Sequence, residues 1–351
     1  MTALAERIKA RIRANGPISL ADYMAECLLD PVYGYYTTRQ PFGTKGDFIT
    51  APEISQMFGE LLGLCLAQTW LDQGSPTPFT LAELGPGRGT MMADALRATR
   101  SVPGFHKAMR LTLIEASPRL RALQAETLKA YAPMWANSIA DLPDLPLYLL
   151  ANEFFDALPI HQFQRAGPAW RERLVGLKDT ALTLGLGPIL PVPQLTHRLT
   201  DTPEGQIVEL CPAAPTIITE IASRLTAQGT ALLIDYGDWH SMGDTFQALR
   251  AHTPVDPFAT PGEADLTAHV DFQALAQAAE PAAHAYTTQG QLLLALGIAQ
   301  RSARLAQNLS GAALQSHLSA TRRLTAPDEM GTLFKVLALY SANHPPPPGT
   351  R

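Results

Sequence analysis

The chain has 351 residues, of which 29 are proline and 25 glycine, with 46% apolar and 17% charged side chains. Against domains of about 150 residues, that length admits one elaborated domain or two smaller ones, and the apolar share supplies a real core. The net charge of −5 excludes a broad electrostatic grip on DNA or RNA, which needs a basic surplus to displace counterions.

Cys27, Cys65 and Cys211 are an odd, scattered set. They lack zinc-type spacing, so no metal site is expected and the compartment is read as reducing. No apolar stretch is long enough to span a bilayer. Arg7, Lys9, Arg11 and Arg13 against the single acid Glu6 suit either an amphipathic surface helix or a presequence. The short length and the cap signals that follow favour the helix.

Ser19 with Asp22 caps a second helix that runs to about Leu29, where Asp30-Pro31 stops it. Residues 31–51 are loop chemistry, dense in Gly, Pro and Tyr. Pro52-Glu53 opens a helix whose Ile54, Met57, Phe58, Leu61, Leu62 and Cys65 form one apolar face. From residue 79 short apolar runs alternate with helical stretches: strands at 79–84, 110–115, 147–151 and 230–237, helices at 89–100, 117–131 and 213–227. That alternation predicts an α/β fold with parallel strands and crossover helices. Residues 160–187 alternate as a β-hairpin inserted into that order. Residues 283–288 and the final run LFKVLALY are two closing strands. The tail HPPPPGTR is expected to be extended and unstructured.

The sharpest local signal is Leu81-Ala82-Glu83-Leu84-Gly85-Pro86-Gly87-Arg88-Gly89-Thr90. A strand delivers its carboxyl end to a glycine-rich turn and a helix starts at once, so a ligand can approach backbone N–H groups. The dinucleotide fingerprint requires a third glycine where Thr90 stands, which weakens a dehydrogenase reading. Glu83, Gly85, Gly87 and Gly89 instead spell E-x-G-x-G-x-G. This resembles motif I of the Rossmann-like S-adenosylmethionine methyltransferases, in which the loop cradles the methionine part of the cofactor and the acid orients it through the loop.

Glu115 ends the second strand, where a carboxylate can accept hydrogen bonds from both ribose hydroxyls; alternatively it caps the helix at Ser117-Pro118. Ser138 follows a third strand, where such folds contact adenine. After strand four, Asn152, Glu153, Phe154, Phe155 and Asp156 gather two carboxylates, an amide and two aromatics. Methyl transfer from a sulfonium needs close approach and desolvation more than acid–base power. Were the acceptor a guanidinium, Glu153 and Asp156 could bind it bidentately and free the near nitrogen to attack. The alternative is that Asn152 or Asp156 caps a short helix, with the phenylalanines in the core. Asp235 and Tyr236 end strand five on the same edge; either they line the acceptor site or Tyr236 packs under a loop. Among the histidines, none with metal-ligand spacing, His269 beside Asp265 and Asp271 is the most site-like, and Asp271 is expected to N-cap the helix from Phe272.

Three longer stretches carry a more specific likeness: Gly46 to Glu60, Asn152 to Pro159 with His161-Gln162-Phe163, and Asp265 to Phe272. Together with Pro31 to Tyr36 and Gly331 to Val336, they resemble the MidA family along nearly the whole chain. That family includes the mitochondrial protein arginine methyltransferase needed for complex I assembly, and bacterial relatives. The resemblance implies a class I methyltransferase sheet with an N-terminal helical cap (1–75), a core over 76–340 with an insertion at 160–205, and a flexible tail over 341–351. It implies S-adenosyl-L-methionine held by Glu83, Gly85, Gly87, Gly89, Glu115 and Ser138, and a lid from Phe48 to Gln56 that brings in Thr50 and Gln56. It places Asn152, Glu153 and Asp156 at the reacting centre, with Phe154, Asp235, Tyr236 and His269 around the acceptor.

The function implied is protein arginine N-methylation, with symmetric dimethylation of a complex I subunit or another protein, by a possible homodimer. The lack of a long presequence departs from the mitochondrial member and points to a bacterial cytoplasmic relative. A cofactor-binding assembly chaperone with little catalysis and a small-molecule methyltransferase are the competing readings.

Overall fold

The computed structural model describes residues 2–38, 50–225 and 227–350, and these divide into two compact units. One holds the described residues within Ile49–Phe154, Thr216–Gly237 and Phe272–Arg351; the other holds those within Met1–Phe48, Phe155–Pro215 and Asp238–Asp271. The boundary expected near residue 75 therefore falls earlier. The helix expected from Pro52 belongs with the large sheet, and the first two helices belong with the inserted strands.

The larger unit is built on strands β1 (Phe79–Leu84), β2 (Met109–Ile114), β3 (Met134–Ala136), β4 (Leu147–Asn152), β5 (Gly229–Asp238), β6 (Ala283–Thr288) and β7 (Phe334–Tyr340). Their order across the sheet is β3-β2-β1-β4-β5-β7-β6. The first five are mutually parallel, and β7 runs antiparallel to both β5 and β6. Every residue of β1 and of β4 is buried, which is why they read as unbroken apolar runs: a parallel strand covered on both faces has no solvent side to alternate towards. Chain order reverses on either side of β1, so the carboxyl ends of β1, β2, β4 and β5 open on a topological switch point, the place where such sheets bind ligands.

Helix α1 (Gln56–Asp72) packs closely on α2 (Thr90–Ala98), and α3 (Pro118–Thr127) follows β2. The apolar stripe of α1, including Phe58, Leu62, Leu66 and Trp70, enters a core with Phe79, Phe105 and Tyr148. The ring of Phe79 lies 5.0 to 5.7 Å from those of Trp70, Phe105 and Tyr148. Each such buried side chain contributes about 1.5–3 kcal/mol of transfer free energy. The expected single helix from Pro52 is interrupted: a turn over Ala51–Ile54 stops at Ser55, which is extended (φ −157°, ψ 135°), and the Ser55 hydroxyl then accepts from Met57 N to start α1.

The chain end is ordered by packing, unlike the extended tail expected from its prolines. Thr350 is 3% exposed, its hydroxyl donates to Pro347 O, and the Cys65 thiol donates to Pro348 O at 3.4 Å. The prolines present apolar surface without needing backbone donors, so the segment can lie on the core with little polar cost.

The smaller unit pairs antiparallel strands His161–Ala166, Ala169–Lys178 and Ala181–Leu190, with Ile18–Ser19 and Ile207–Leu210 on the same sheet. A three-stranded sheet joins Gln247–Arg250, Thr253–Val255 and Asp265–Thr267. Helices Ala3–Asn15 and Leu20–Leu29 begin at Thr2 and Ser19, whose hydroxyls cap Ala5 N and Asp22 N. Their Leu4, Ile8, Tyr23 and Met24 form this unit's core with Val175 and Leu266. Among the described residues no helix is long and apolar enough to cross a membrane, and no group of His, Cys, Asp and Glu is arranged to hold a metal.

Candidate functional site

The loop after β1 takes its shape from its glycines. Gly85, Gly87 and Gly89 all have left-handed φ values, +58°, +53° and +80°, a region that costs a residue with a Cβ roughly 1–2 kcal/mol. At Gly85 space is also limiting: a Cβ there would lie 2.9 Å from Cδ2 of Phe154. Gly85 N donates to Ile114 O, which keeps the loop in line with β2, and Gly89 occupies the N-cap position of α2. Glu83, two residues before Gly85 on β1, is 2% exposed, and its Oε2 has no hydrogen-bond partner among the described residues. Burial pushes that carboxyl well above the usual carboxylate range.

Beyond the end of β2, Glu115 projects a carboxylate held at both oxygens. Oε1 accepts from Ser117 N at 2.8 Å and Oε2 from Gln124 Nε2 at 3.2 Å. Burial raises its pKa, against the N–H bonds from Ser117, Gln124 and Ala116 and the charge of Arg121. Arg121 also donates to Glu115 O at 2.6 Å and to Asn137 Oδ1 at 2.7 Å, which ties the ends of β2 and β3 together.

The turn after β4 is strained and braced. Glu153, at φ +51°, is one of few residues with a Cβ in the left-handed region, and such a conformation persists only where its surroundings over-determine it. Its N–H donates to Ile234 O at 2.9 Å, while its Oε1 accepts from Asn152 Nδ2 at 3.0 Å and from Ala51 N at 3.3 Å. Asp235, 1% exposed, accepts from Phe154 N at 3.1 Å and from Tyr236 N at 3.0 Å. It thus fastens the turn through the backbone. Asn152 is 8% exposed, and its Oδ1 is buried without a partner among the described residues.

The short turn Ala51–Ile54 reaches the glycine loop as well as Glu153. Glu53 accepts from the Thr90 hydroxyl at 2.7 Å and faces Arg88 at 3.8 Å. Of the expected lid, Phe48 and Ile49 lie outside the described residues. Thr50 is 9% exposed and precedes the turn without a side-chain cap bond. Gln56 is exposed at the start of α1, with its amide oxygen 3.5 Å from Arg97 Nη2.

Other expected residues have defined local partners. The Ser138 hydroxyl and N–H both meet Asp141 Oδ2, at 3.1 and 3.0 Å, in a capping box over Ile139–Asp141. The Tyr236 ring packs edge-on to Phe334 with centroids 5.5 Å apart. Asp156 and His269 belong to the smaller unit, so the run Asn152 to Asp156 crosses the division between Phe154 and Phe155. Asp156 is 6% exposed and its carbonyl accepts from Ala268 N; His269 N donates to the Thr245 hydroxyl at 2.8 Å. Asp271 accepts from Ser241 N and faces Arg198 at 3.6 Å. The sequence does not single out Gln124 or Trp135, and marks Glu53 only as a helix start within the lid segment. A polar residue one turn before an apolar Leu128 at the end of α3, both buried, was the signal available for Gln124.

These features fit an adenosyl amino acid. A carboxylate beyond β2 suits two vicinal hydroxyls, backbone N–H groups at a helix start suit a carboxylate, and the partnerless Asn152 Oδ1 suits an ammonium donor.

A sequence profile of S-adenosyl-L-methionine-dependent methyltransferases matches residues 61–290. The mitochondrial protein arginine methyltransferase NDUFAF7 of Xenopus tropicalis is 36% identical over 96% of this chain and 85% of its own length. The human protein of that name is 35% identical over 97% and 83%. Among solved structures, a methyltransferase-like protein of Burkholderia thailandensis bound to S-adenosyl-homocysteine superposes with a TM-score of 0.83 at 31% identity, over 96% of this chain and 92% of that one. A second structure from the same organism, in native form, gives a TM-score of 0.78 at 30% identity over 96% and 91%. With its sheet order, its glycine loop and this extent of likeness, the chain belongs to the S-adenosyl-L-methionine-dependent methyltransferase family that includes the NDUFAF7 proteins, and S-adenosyl-L-methionine is its cofactor.

Proposed function

We propose that the chain transfers the methyl group to an arginine side chain of a protein, with Glu153 as the carboxylate that receives the guanidinium. The observation that carries this reading is the strained, braced turn that presents Glu153 beyond the end of β4, together with relatives that are named protein arginine methyltransferases. Gly85, Gly87, Gly89, Glu115, Glu83 and Asn152 are assigned to the cofactor side, and Phe154 and Asp235 to the walls and bracing of the turn. Tyr236 stays with the acceptor side as the family resemblance implies, and Thr50, Gln56 and Ser138 with the cofactor's edge. Symmetric dimethylation of a respiratory complex I subunit, by a homodimer in a bacterial cytoplasm, is the narrowest form of the same proposal.

Bound S-adenosyl-L-methionine supplies an electrophilic methyl group on a sulfonium. The chain's residues have to make a poor nucleophile ready for it. A guanidinium is planar and permanently charged, and its nitrogen lone pairs are delocalised. A carboxylate that accepts two of its N–H bonds draws the positive charge to the bound nitrogens and leaves electron density on the other. The nitrogen that gains the methyl sheds one proton to solvent as the sulfonium becomes a neutral thioether, so the product is again a guanidinium and stays paired with the Glu153 carboxylate. Asp235 acts on this step through the backbone of Phe154 and is a positioning residue.

Incubation of the purified enzyme with methyl-labelled cofactor and extract of a strain lacking it tests the acceptor: label is expected on arginine, and label on lysine, glutamine or lipid overturns the reading. Glu153→Gln is expected to bind S-adenosyl-homocysteine as the parent does and to transfer methyl at least about 10²-fold more slowly. An unchanged rate refutes the role of Glu153. Rescue of the deletion strain by that variant without methylation would favour a chaperone.

A further inference from the structure

We infer that Gln124 is a cofactor-positioning residue: its buried amide joins the glycine loop to the Glu115 carboxylate, so that loop shape and ribose recognition are set together. The inference rests on the reading of Glu115 as the ribose-binding acid.

Gln124 lies on α3 with no exposed surface, one turn before the buried Leu128 that caps the helix. A buried primary amide left unsatisfied costs about 1–3 kcal/mol, so such a residue persists where its hydrogen bonds are made. Its Nε2 donates to Gly87 O at 2.8 Å and to Glu115 Oε2 at 3.2 Å, and its Oε1 accepts from Trp135 Nε1 at 2.9 Å. The indole N–H can only donate, whereas a carbonyl and a carboxylate can only accept. The amide therefore has one orientation: a flip would set its oxygen against two acceptors and its NH₂ against a donor. Trp135 on β3 fixes the orientation, and the amide transmits it to residues beyond β1 and β2.

Two consequences follow for the cofactor side. The Glu115 carboxylate, held by Ser117 N on one oxygen and by Gln124 on the other, keeps a single rotation, as two vicinal hydroxyls require. The carbonyl of Gly87, the middle glycine of the loop, is held towards α3 by its bond from the Gln124 amide. The contact also favours the ionised form of Glu115 against the burial that opposes it. A side chain that merely filled space at position 124 would do neither.

The test uses the full chain and S-adenosyl-homocysteine as the probe, with affinity measured by calorimetry from pH 5 to pH 8. Gln124→Leu is expected to weaken binding about tenfold at pH 7.5. It should also move the acid limb of the affinity profile to higher pH, since the carboxylate loses a donor that favours its charge. Trp135→Phe, which removes the orienting N–H together with part of the ring, is expected to give a smaller loss and a limb shift in the same direction, and it serves if the leucine variant fails to fold. In a Glu115→Gln background the Gln124→Leu loss should shrink to the part that the Gly87 bond carries.

Wild-type affinity in both variants, an unmoved acid limb, or equal losses in both backgrounds would overturn the inference. If Glu115→Gln alone binds as the parent does, the ribose assignment fails and takes the inference with it. If Glu115→Gln weakens binding while Gln124→Leu and Trp135→Phe do not, only the inference fails.

Discussion

Replacing Gly85 by alanine perturbs the cofactor loop at its tightest point. The residue sits at φ +58°, and the added methyl would lie 2.9 Å from Cδ2 and 3.7 Å from Cε2 of Phe154. The left-handed conformation costs an alanine about 1–2 kcal/mol. The ring must move as well, and its backbone is held by the bond from Phe154 N to Asp235 at 3.1 Å, so overpacking adds about 1–3 kcal/mol. If the loop relaxes to escape this, restoring its shape on binding draws on the affinity. We expect S-adenosyl-homocysteine to bind at least about tenfold more weakly by calorimetry, since each 1.4 kcal/mol is a factor of ten. Gly167→Ala is the control: φ is +59° but nothing lies within 4 Å of its Cβ, so it should lower thermal stability slightly and leave affinity unchanged. Parental affinity in Gly85→Ala, or equal losses in the two variants, would refute the steric argument.

Glu60 on α1 is 3% exposed and accepts from Arg97 Nη1 and from Nε and Nη2 of Arg301, at 2.5, 2.7 and 2.9 Å. Burial alone would raise its pKa; the two guanidinium groups overcome that and hold it below the usual 4.5. Its contribution is thus complete above about pH 4.5 and is lost as pH falls through the lower folded value. Glu60→Gln should cost about 2–3 kcal/mol at pH 7 in urea denaturation, with the gap to the parent narrowing towards pH 3; a constant gap would contradict the assignment. Glu83 has the opposite sign. Its raised pKa means that the folded state keeps a proton the unfolded chain releases, so parental stability declines as pH rises above about 4.5. Glu83→Gln should therefore gain on the parent progressively from pH 5 to pH 7, and a pH-independent difference would show that burial is not the cause.

The strands and their ends were legible because parallel strands buried on both faces leave unbroken apolar runs, and because a glycine-rich turn between strand and helix is a local pattern. Glu83, the three glycines, Glu115 and Glu153 all stand at strand ends that neighbours in the chain announce. Gln124 was not legible in the same way. Its meaning depends on Trp135, Gly87 and Glu115, which reach it only when three strands lie side by side. Glu53 has an ordinary place at a helix start, and its bond to Thr90 appears only once the turn at 51–54 rests beside α2.

The length admitted one domain or two, and composition alone could not choose, since both arrangements bury the same kinds of residue. The sequence by itself determined the fold class, which rests on periodicity along the chain, and the family, which rests on the resemblance its motifs carry. Tertiary structure decided that the expected cap divides near residue 48, that the run from Asn152 to Asp156 passes from one unit to the other, and that the proline-rich end packs instead of trailing. Each of these is a contact between segments distant in sequence. Such contacts are selected by complementary surfaces, which exist only after the elements have formed.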